Sequence, residues 1–410
     1  MIEELYRLSR QFLEIKHSSY RRYFIRTTPL SSRLSILIGP RGVGKTTTLV
    51  QMLLDFSQGD RFSPKILYIQ SDHFAIGKLS LYEIAEQFQQ LGGEWIVFDE
   101  IHKHPNWSQE LKSIYDTFPK LRVLASGSSA LQITKGSHDL SRRALVFRMQ
   151  GMSFREYLEL AHQIELPSYN LNELCQDHAT IADKVIKKLD IKKQKIIPEF
   201  NRYLQIGYYP YFYEMQNESF YKMTLEQNVH TTIESDLASV YPQLTGISMQ
   251  KIKELLIFIA NAVPFTPNWN SLKSILEIGD LRTLKTYFSH LEDAELIQSL
   301  SKSTEKLHRL ESPSKIYLNN PNQLYAIASQ APDKGTIRET FFLNMTQQSH
   351  EVTLPGDGDF LVNKKYVFEI GGRKKTFEQI RSEKNGYLVC DDLEQGAGAK
   401  IPLWLFGFLY

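Results

Sequence analysis

A small set of residues accounts for most of the chemistry this chain could do. Gly39-Pro40-Arg41-Gly42-Val43-Gly44-Lys45-Thr46 fits the pattern G-x-x-x-x-G-K-[ST], and Thr47 follows it. Glycines at these places let the backbone curl until several N–H groups point into one concavity, which suits an anion. A helix starting at Lys45 adds its free N–H groups and the positive end of its dipole. Lys45 can then neutralise β and γ phosphates, and the Thr46 hydroxyl can ligate Mg²⁺. The expected ligand is therefore ATP with Mg²⁺, held by Gly39 through Thr47. A second pattern is Trp95-Ile96-Val97-Phe98-Asp99-Glu100, an apolar run ending in two carboxylates. Asp99 is expected to hold Mg²⁺ beside Thr46, and Glu100 to orient and activate the attacking water. A third run, Leu121 to Ala125, ends in Ser126-Gly127-Ser128-Ser129. A polar group there could bind the γ-phosphate or the water, with Ser126 preferred and Ser128 next. His102 and His104 have no third ligand at a sensible spacing and are expected in a loop or core role rather than on a metal.

These side chains need elements to position them. Leu34-Ser35-Ile36-Leu37-Ile38 reads as a buried strand leading into the glycine-rich turn, and Thr47 to Phe56 continues as helix. Lys65 to Gln70 is a strand pattern and Leu79 to Leu91 a helical one, so strands and helices alternate as in a parallel α/β sheet. Before them, Leu5, Leu8, Phe12 and Ile15 fall at helical spacing, followed by the basic residues Arg21, Arg22 and Arg26. A chain of 410 residues has room for two to four domains. Its net charge of +2 sets up no global field for nucleic acid or membrane. Two distant cysteines, Cys175 and Cys390, form no metal-type spacing and fit a reducing cytoplasm. No signal peptide is read at the N-terminus. No apolar run approaches the roughly 20 residues needed to cross a bilayer. The apolar stretch Ile401 to Tyr410 reads as a buried last strand.

Taken together, Asp99-Glu100-Ile101-His102-Lys103-His104-Pro105-Asn106-Trp107, Ser126-Gly127-Ser128-Ser129-Ala130, Arg143 and Met152-Ser153-Phe154-Arg155-Glu156-Tyr157-Leu158 resemble a group of prokaryotic AAA-type ATPases. In that group an ATPase core precedes a C-terminal domain of unknown function. The resemblance implies Mg-dependent ATP hydrolysis. It also implies an arginine that stabilises charge developing on the γ-phosphate. The family's Leu-Ala-Gly-Arg segment is Leu140-Ser141-Arg142-Arg143 here, so either arginine could fill the place, and Arg143 is favoured.

Further along, Ser153 to about Val240 is largely helical, like a lid. Lys184, Lys187, Lys188, Lys192, Lys193 and Lys195 read as a solvated face, with a phosphate-backbone contact as the lesser reading. Tyr203 to Phe212 resembles the family's entry into its C-terminal region, with Tyr208 where a second glycine is common. Gly246 to Leu300 reads as three short helices, the last capped by Asp280. Strand-like 296–300 and 316–318 follow. Helices and hairpin suggest a winged helix, which the family also carries; on DNA it would present Arg282, Thr283 and Lys285. The last segment resembles a restriction-endonuclease-like fold, with Glu339 on a helix and Asp359 and Glu369 on strands. Gly371 stands where that fold places its lysine, so the domain reads as degenerate.

The expected organisation is an AAA-type P-loop core over 1–150, a helical lid over 151–240, a winged-helix-like domain over 241–328 and a nuclease-like domain over 329–410. The expected activity is ATP hydrolysis that drives or gates a conformational change, on DNA or a protein partner, with oligomerisation open. Two alternatives remain: a nucleotide-gated DNA-binding or docking switch with little turnover, and an ATP-regulated nuclease.

Overall fold

The computed structural model describes residues 2–28, 30–76, 79–127, 140, 142–215, 217–262, 266–301 and 314–410. The chain divides into two compact units, Met1–Gly151 and Met152–Tyr410.

In the first unit, five strands form one sheet in the order β2-β3-β4-β1-β5. They are β1 (Leu34–Ile38), β2 (Ile66–Gln70), β3 (Trp95–Asp99), β4 (Arg122–Gly127) and β5 (Leu145–Arg148), and every neighbouring pair is parallel. Strands β1 and β3 are buried along their whole length. That explains their unbroken apolar runs, because a parallel sheet is covered on both faces by its crossover helices. Helices α1 (Ile2–Ile15), α2 (Tyr23–Thr27), α3 (Lys45–Phe56), α4 (Leu81–Gln90) and α5 (Trp107–Thr117) supply that cover. Leu34, Ile36, Leu67, Ile84, Phe88, Ile96, Phe98 and Leu111 share one core. The arrangement is a parallel α/β sheet with a phosphate-binding-type loop after β1.

Edge strand β2 is fixed by α1. The Ser9 hydroxyl accepts from the Tyr68 backbone N–H at 2.9 Å, and the Phe12 ring stacks on the Tyr68 ring at 4.6 Å between centroids. A donor that an edge strand would leave to water is thereby satisfied inside the unit.

The second unit opens with helices α6 (Phe154–His162), α7 (Leu171–Ile191), α8 (Ile196–Arg202) and α9 (Glu218–Thr231). Capping boxes start α6 at Ser153 and α7 at Asn170. Tyr203, Tyr208, Tyr209 and Phe212 are buried, so the aromatic turn is core. A Cβ at Gly207 would come within 2.4 Å of the Tyr203 ring and 2.8 Å of Tyr157, which explains the glycine there. The lysine-rich face partly neutralises itself: Lys187 pairs with Asp183 at 2.6 Å and Lys195 with Asp190 at 2.7 Å.

Next come α10 (Gly246–Ala262), α11 (Trp269–Ile275), α12 (Leu281–Asp293) and an antiparallel hairpin of β6 (Ile297–Leu300) and β7 (Lys315–Leu318). Asp280 caps α12 as expected, accepting from the Arg282 and Thr283 N–H groups at 2.6 and 3.1 Å. The Thr283 hydroxyl also donates to Asp280, and the Lys285 ammonium lies over the Trp269 ring. Two of the three side chains expected on DNA are therefore engaged within the unit.

After α13 (Pro321–Ile327) and α14 (Lys334–Thr346), a mixed sheet closes the unit in the order β12-β11-β10-β9-β8. Its strands are β8 (Val352–Thr353), β9 (Phe360–Val362), β10 (Tyr366–Gly371), β11 (Gly386–Cys390) and β12 (Lys400–Pro402). The expected strand over 401–410 is corrected here, because β12 stops at Pro402 and Leu403–Phe408 is a 3₁₀ helix. Pro402 has no N–H to continue the ladder, and a run apolar at every position carries no period that separates strand from helix. Cys175 and Cys390 are both buried free thiols. Burial pushes the Cys175 thiol up to about 12 and raises Cys390 as well. Among the described residues no helix is long and apolar enough to cross a membrane.

Candidate nucleotide-binding site

The glycine-rich loop leaves the C-terminal end of β1 and turns into α3. Gly39, Gly42 and Gly44 have φ of +151°, +81° and +97°. Gly39 is required twice over, since a Cβ there would lie 2.1 Å from the Met149 carbonyl oxygen. Lys45 is buried. Its ammonium donates to the carbonyls of Gly39 at 2.8 Å and Pro40 at 2.9 Å, so its charge is held inside the loop it starts from. Val43 is wholly buried, and its carbonyl accepts from the buried Arg22 guanidinium. The same guanidinium donates to Gln150 O at 2.9 Å and Gly151 O at 2.8 Å. Arg22 thus ties the loop to the segment that follows β5. The sequence shows Arg22 as one of a basic run, and nothing in that run singles it out.

Asp99 ends β3, and its carboxylate collects three hydroxyls. Thr46 Oγ1 donates to Oδ2 at 2.8 Å, Tyr68 donates to the same oxygen, and Ser126 donates to Oδ1. Burial raises the Asp99 pKa, the Ser126 and Tyr68 hydroxyls pull it back, and the neighbouring Glu100 charge pushes it up again. Burial and the Asp99 charge together hold the Tyr68 phenol well above its ordinary pKa. Tyr68 was not among the expected site residues. Its one sequence signal is a polar-tipped aromatic inside the strand that precedes the carboxylate strand, and that strand's pairing places Gln70 opposite Asp99.

Ser126 differs from its expectation. It is fully buried, and besides donating to Asp99 it accepts from the Glu100 backbone N–H at 3.1 Å. In this structure it holds the two acidic residues in place, and its hydroxyl is engaged with them rather than turned toward a phosphate. Ser128 and Ser141 lie outside the described residues. Glu100 takes φ +51°, a sparsely populated conformation that concentrates at functional sites. His102 Nε2 stands 3.5 Å from Glu100 Oε2, and the buried His104 ring lies against the Leu79 and Pro105 carbonyls.

Arg143 is the clearest departure. β5 runs parallel to β1 with Leu145 opposite Ser35 and Arg148 opposite Ile38. Arg143 therefore precedes the N-terminal end of β5, at the sheet edge opposite the loop, on the order of 10 Å of strand away. Its guanidinium makes a two-pronged ion pair with Asp116, at 2.8 and 3.0 Å. In this structure its side chain is turned to Asp116 and away from the phosphate loop of its own chain. Arg142 lies next to it, before the same strand end.

The described geometry brings together Gly39 to Thr47, Asp99, Glu100 and Ser126, with Tyr68 added and Arg143 left out. A phosphate-binding loop, a hydroxyl at the helix start and a buried carboxylate at the end of β3 in the same sheet form a P-loop nucleotide-binding site. Consistent with this, residues 31–158 match the AAA domain family, and residues 197–334 match a domain of unknown function (DUF8612). The chain is similar to an uncharacterized protein of Methanocaldococcus jannaschii, 26% identical over 88% of this chain and 81% of that one. Among solved structures it aligns loosely with C. elegans PCH-2, at 14% identity and a TM-score of 0.26 over 70% of this chain and 68% of that one. It aligns as loosely with AMPPCP-bound DnaA from Aquifex aeolicus, at 12% identity and a TM-score of 0.26 over 71% and 88%.

Proposed function

We propose that the first unit binds ATP in the loop 39–47 and hydrolyses it with Mg²⁺, driving or gating a conformational change in this chain or in a protein partner. The observation that carries this reading is the convergence of Thr46, Tyr68 and Ser126 hydroxyls on Asp99, one residue before Glu100. A buried carboxylate kept ionisable by three donors, next to a hydroxyl at a helix start, is a donor set of hard oxygens that fits Mg²⁺. Thr46 and Asp99 are the residues that would hold the ion. When bound, Mg²⁺ neutralises charge on the β and γ phosphates.

The chain's own groups do the rest. Loop N–H groups and the start of α3 receive phosphate oxygens. Lys45 exchanges the Gly39 and Pro40 carbonyls for the β and γ phosphates. Glu100 accepts a proton from the attacking water, and Ser126 keeps its backbone in place.

Multiple-turnover ATPase assays beside calorimetry test this reading. Lys45→Ala is expected to lose detectable nucleotide binding. Glu100→Gln is expected to bind Mg-ATP and to lose hydrolysis by about 10²-fold or more, the size of a general-base contribution. Equal turnover by wild type and Glu100→Gln would sink the assignment, and wild-type binding without any turnover would make the nucleotide a gate alone.

A further inference from the structure

The segment that carries Glu100 is pinned at its far end by a histidine. After Glu100 the chain makes one 3₁₀ turn, Ile101–Lys103. The His104 N–H closes it on the Ile101 carbonyl at 3.0 Å. Ser126 holds the front of this turn through the Glu100 N–H. The buried His104 side chain holds the back. Its Nε2 lies 3.0 Å from the Leu79 carbonyl, just before α4, and its Nδ1 lies 2.9 Å from the Pro105 carbonyl.

Both of these partners can only accept. A neutral imidazole has one N–H and the protonated ring has two, so two hydrogen bonds to carbonyls require the imidazolium. A buried charge needs an opposite charge. Glu110, in the first turn of α5, supplies it, with Oε1 3.7 Å from His104 Nδ1. The other Glu110 oxygen, Oε2, accepts the Ser80 hydroxyl at 2.7 Å and the Tyr82 N–H at 2.9 Å, and Ser80 is the cap of α4. Among the described residues no other acid is in ion-pair range of the ring. Lys103, beside it in the chain, pairs with Asp72 at 3.5 Å, and on the α4 side Leu79 offers a neutral carbonyl. The segment after β3 and the starts of α4 and α5 are thus joined through one ring and one carboxylate.

We propose that His104 is a positioning residue: its imidazolium, neutralised by Glu110, clamps the Glu100 segment to the starts of α4 and α5. When the ring gives up its second proton, one nitrogen turns a lone pair toward a carbonyl oxygen and that end of the clamp opens. The folded chain favours the charged ring, so this contribution is present in neutral and mildly acidic solution and is lost as rising pH removes the proton. Glu100 then loses its fixed place, and turnover falls while nucleotide binding in the loop 39–47 stays. The effect on turnover rests on Glu100 being the base; the protonation of the ring does not.

Nitrogen-15 NMR of the histidine rings in the full chain reads protonation directly, with His104→Gln identifying the signal. At about pH 8, where an ordinary histidine is neutral, the wild-type ring is expected to carry a proton on each nitrogen. Glu110→Gln keeps an acceptor oxygen for Ser80 and Tyr82 but removes the charge, and its His104 ring is expected to carry one. The melting temperature of wild type is expected to exceed that of Glu110→Gln at neutral pH, with the gap closing as pH rises. In ATPase assays Glu110→Gln is expected to move the alkaline limb of kcat to lower pH. His104→Gln, which keeps a single donor, should turn over roughly tenfold more slowly, the equivalent of one charge-assisted bond, with KM unchanged in both variants. A singly protonated wild-type ring at about pH 8, or a Glu110→Gln ring protonated as in wild type, overturns the clamp. A doubly protonated ring in a chain whose kcat ignores both substitutions overturns the positioning role. Absence of any turnover by wild type would instead sink the reading of Glu100, while the NMR and melting comparisons still decide the clamp. Near-UV circular dichroism checks that each variant is folded, and the wild-type ring decides the matter if one is not.

Discussion

Replacing Tyr68 with phenylalanine takes one hydroxyl from the Asp99 carboxylate and keeps the ring that stacks on Phe12. A hydrogen bond to a charged group contributes about 1.5–3 kcal/mol. Oδ2 keeps its bond from Thr46 and Oδ1 keeps Ser126, so the lower end applies, about 1.5 kcal/mol, or roughly tenfold in an equilibrium constant. The sign follows from which form of Asp99 each contact favours. Burial raises the Asp99 pKa and the Tyr68 donor lowers it, so Tyr68→Phe raises it further. Mg²⁺ takes the ionised form. The variant is therefore expected to need roughly tenfold more free Mg²⁺ for half-maximal ATPase activity. The acid limb of its pH–rate profile moves to higher pH, and the deficit shrinks as pH rises. ATPase assays over a free-Mg²⁺ series at several pH values read this, beside nucleotide affinity measured without Mg²⁺, which should not change. A Tyr68→Phe protein with wild-type Mg²⁺ dependence and an unmoved acid limb would refute the role assigned to this hydroxyl.

Gly39→Ala is expected to cost about 1–3 kcal/mol, as overpacking does, because its Cβ meets the Met149 carbonyl; thermal melts should show the loss and calorimetry a weakened nucleotide site. Arg143→Ala should leave single-chain nucleotide binding unchanged, since the side chain pairs with Asp116 at the far sheet edge. If Arg143 instead serves a neighbouring copy, mixing Arg143→Ala with Lys45→Ala protein restores partial hydrolysis; no rescue, with specific activity independent of concentration, rejects that role.

Much of the first unit could be read from residue order alone. Buried parallel strands leave unbroken apolar runs, and the loop glycines sit where positive φ demands them, so β1, β3 and the loop were legible. The place of Arg143 was not legible, because a motif gives order along the chain and not the end of the strand a residue lands on. Tyr68 and Arg22 escaped because their roles arise from contacts with residues distant in the chain: Asp99 and Phe12 for the one, and the Val43, Gln150 and Gly151 carbonyls for the other. In the second unit the capping residue Asp280 marks its helix start plainly. Sequence spacing also cannot show the turn that folds the Lys375 stem back over Gly371, within 2.7 Å of where a Cβ would lie. The 3₁₀ segment after Pro402 escaped for the opposite reason, being apolar at every position.

The two cysteines have a practical consequence. Maleimides and iodoacetamides attack the thiolate, and the burial that raises both pKa values also screens Cys175 and Cys390 from reagent. The native chain is thus close to silent toward thiol-directed dyes. A single cysteine placed at an open position, such as Phe74→Cys where the native ring is 91% exposed, would take a fluorophore without first stripping the protein of its own sulfhydryls. Turnover could then be followed as an optical signal in an otherwise unaltered background.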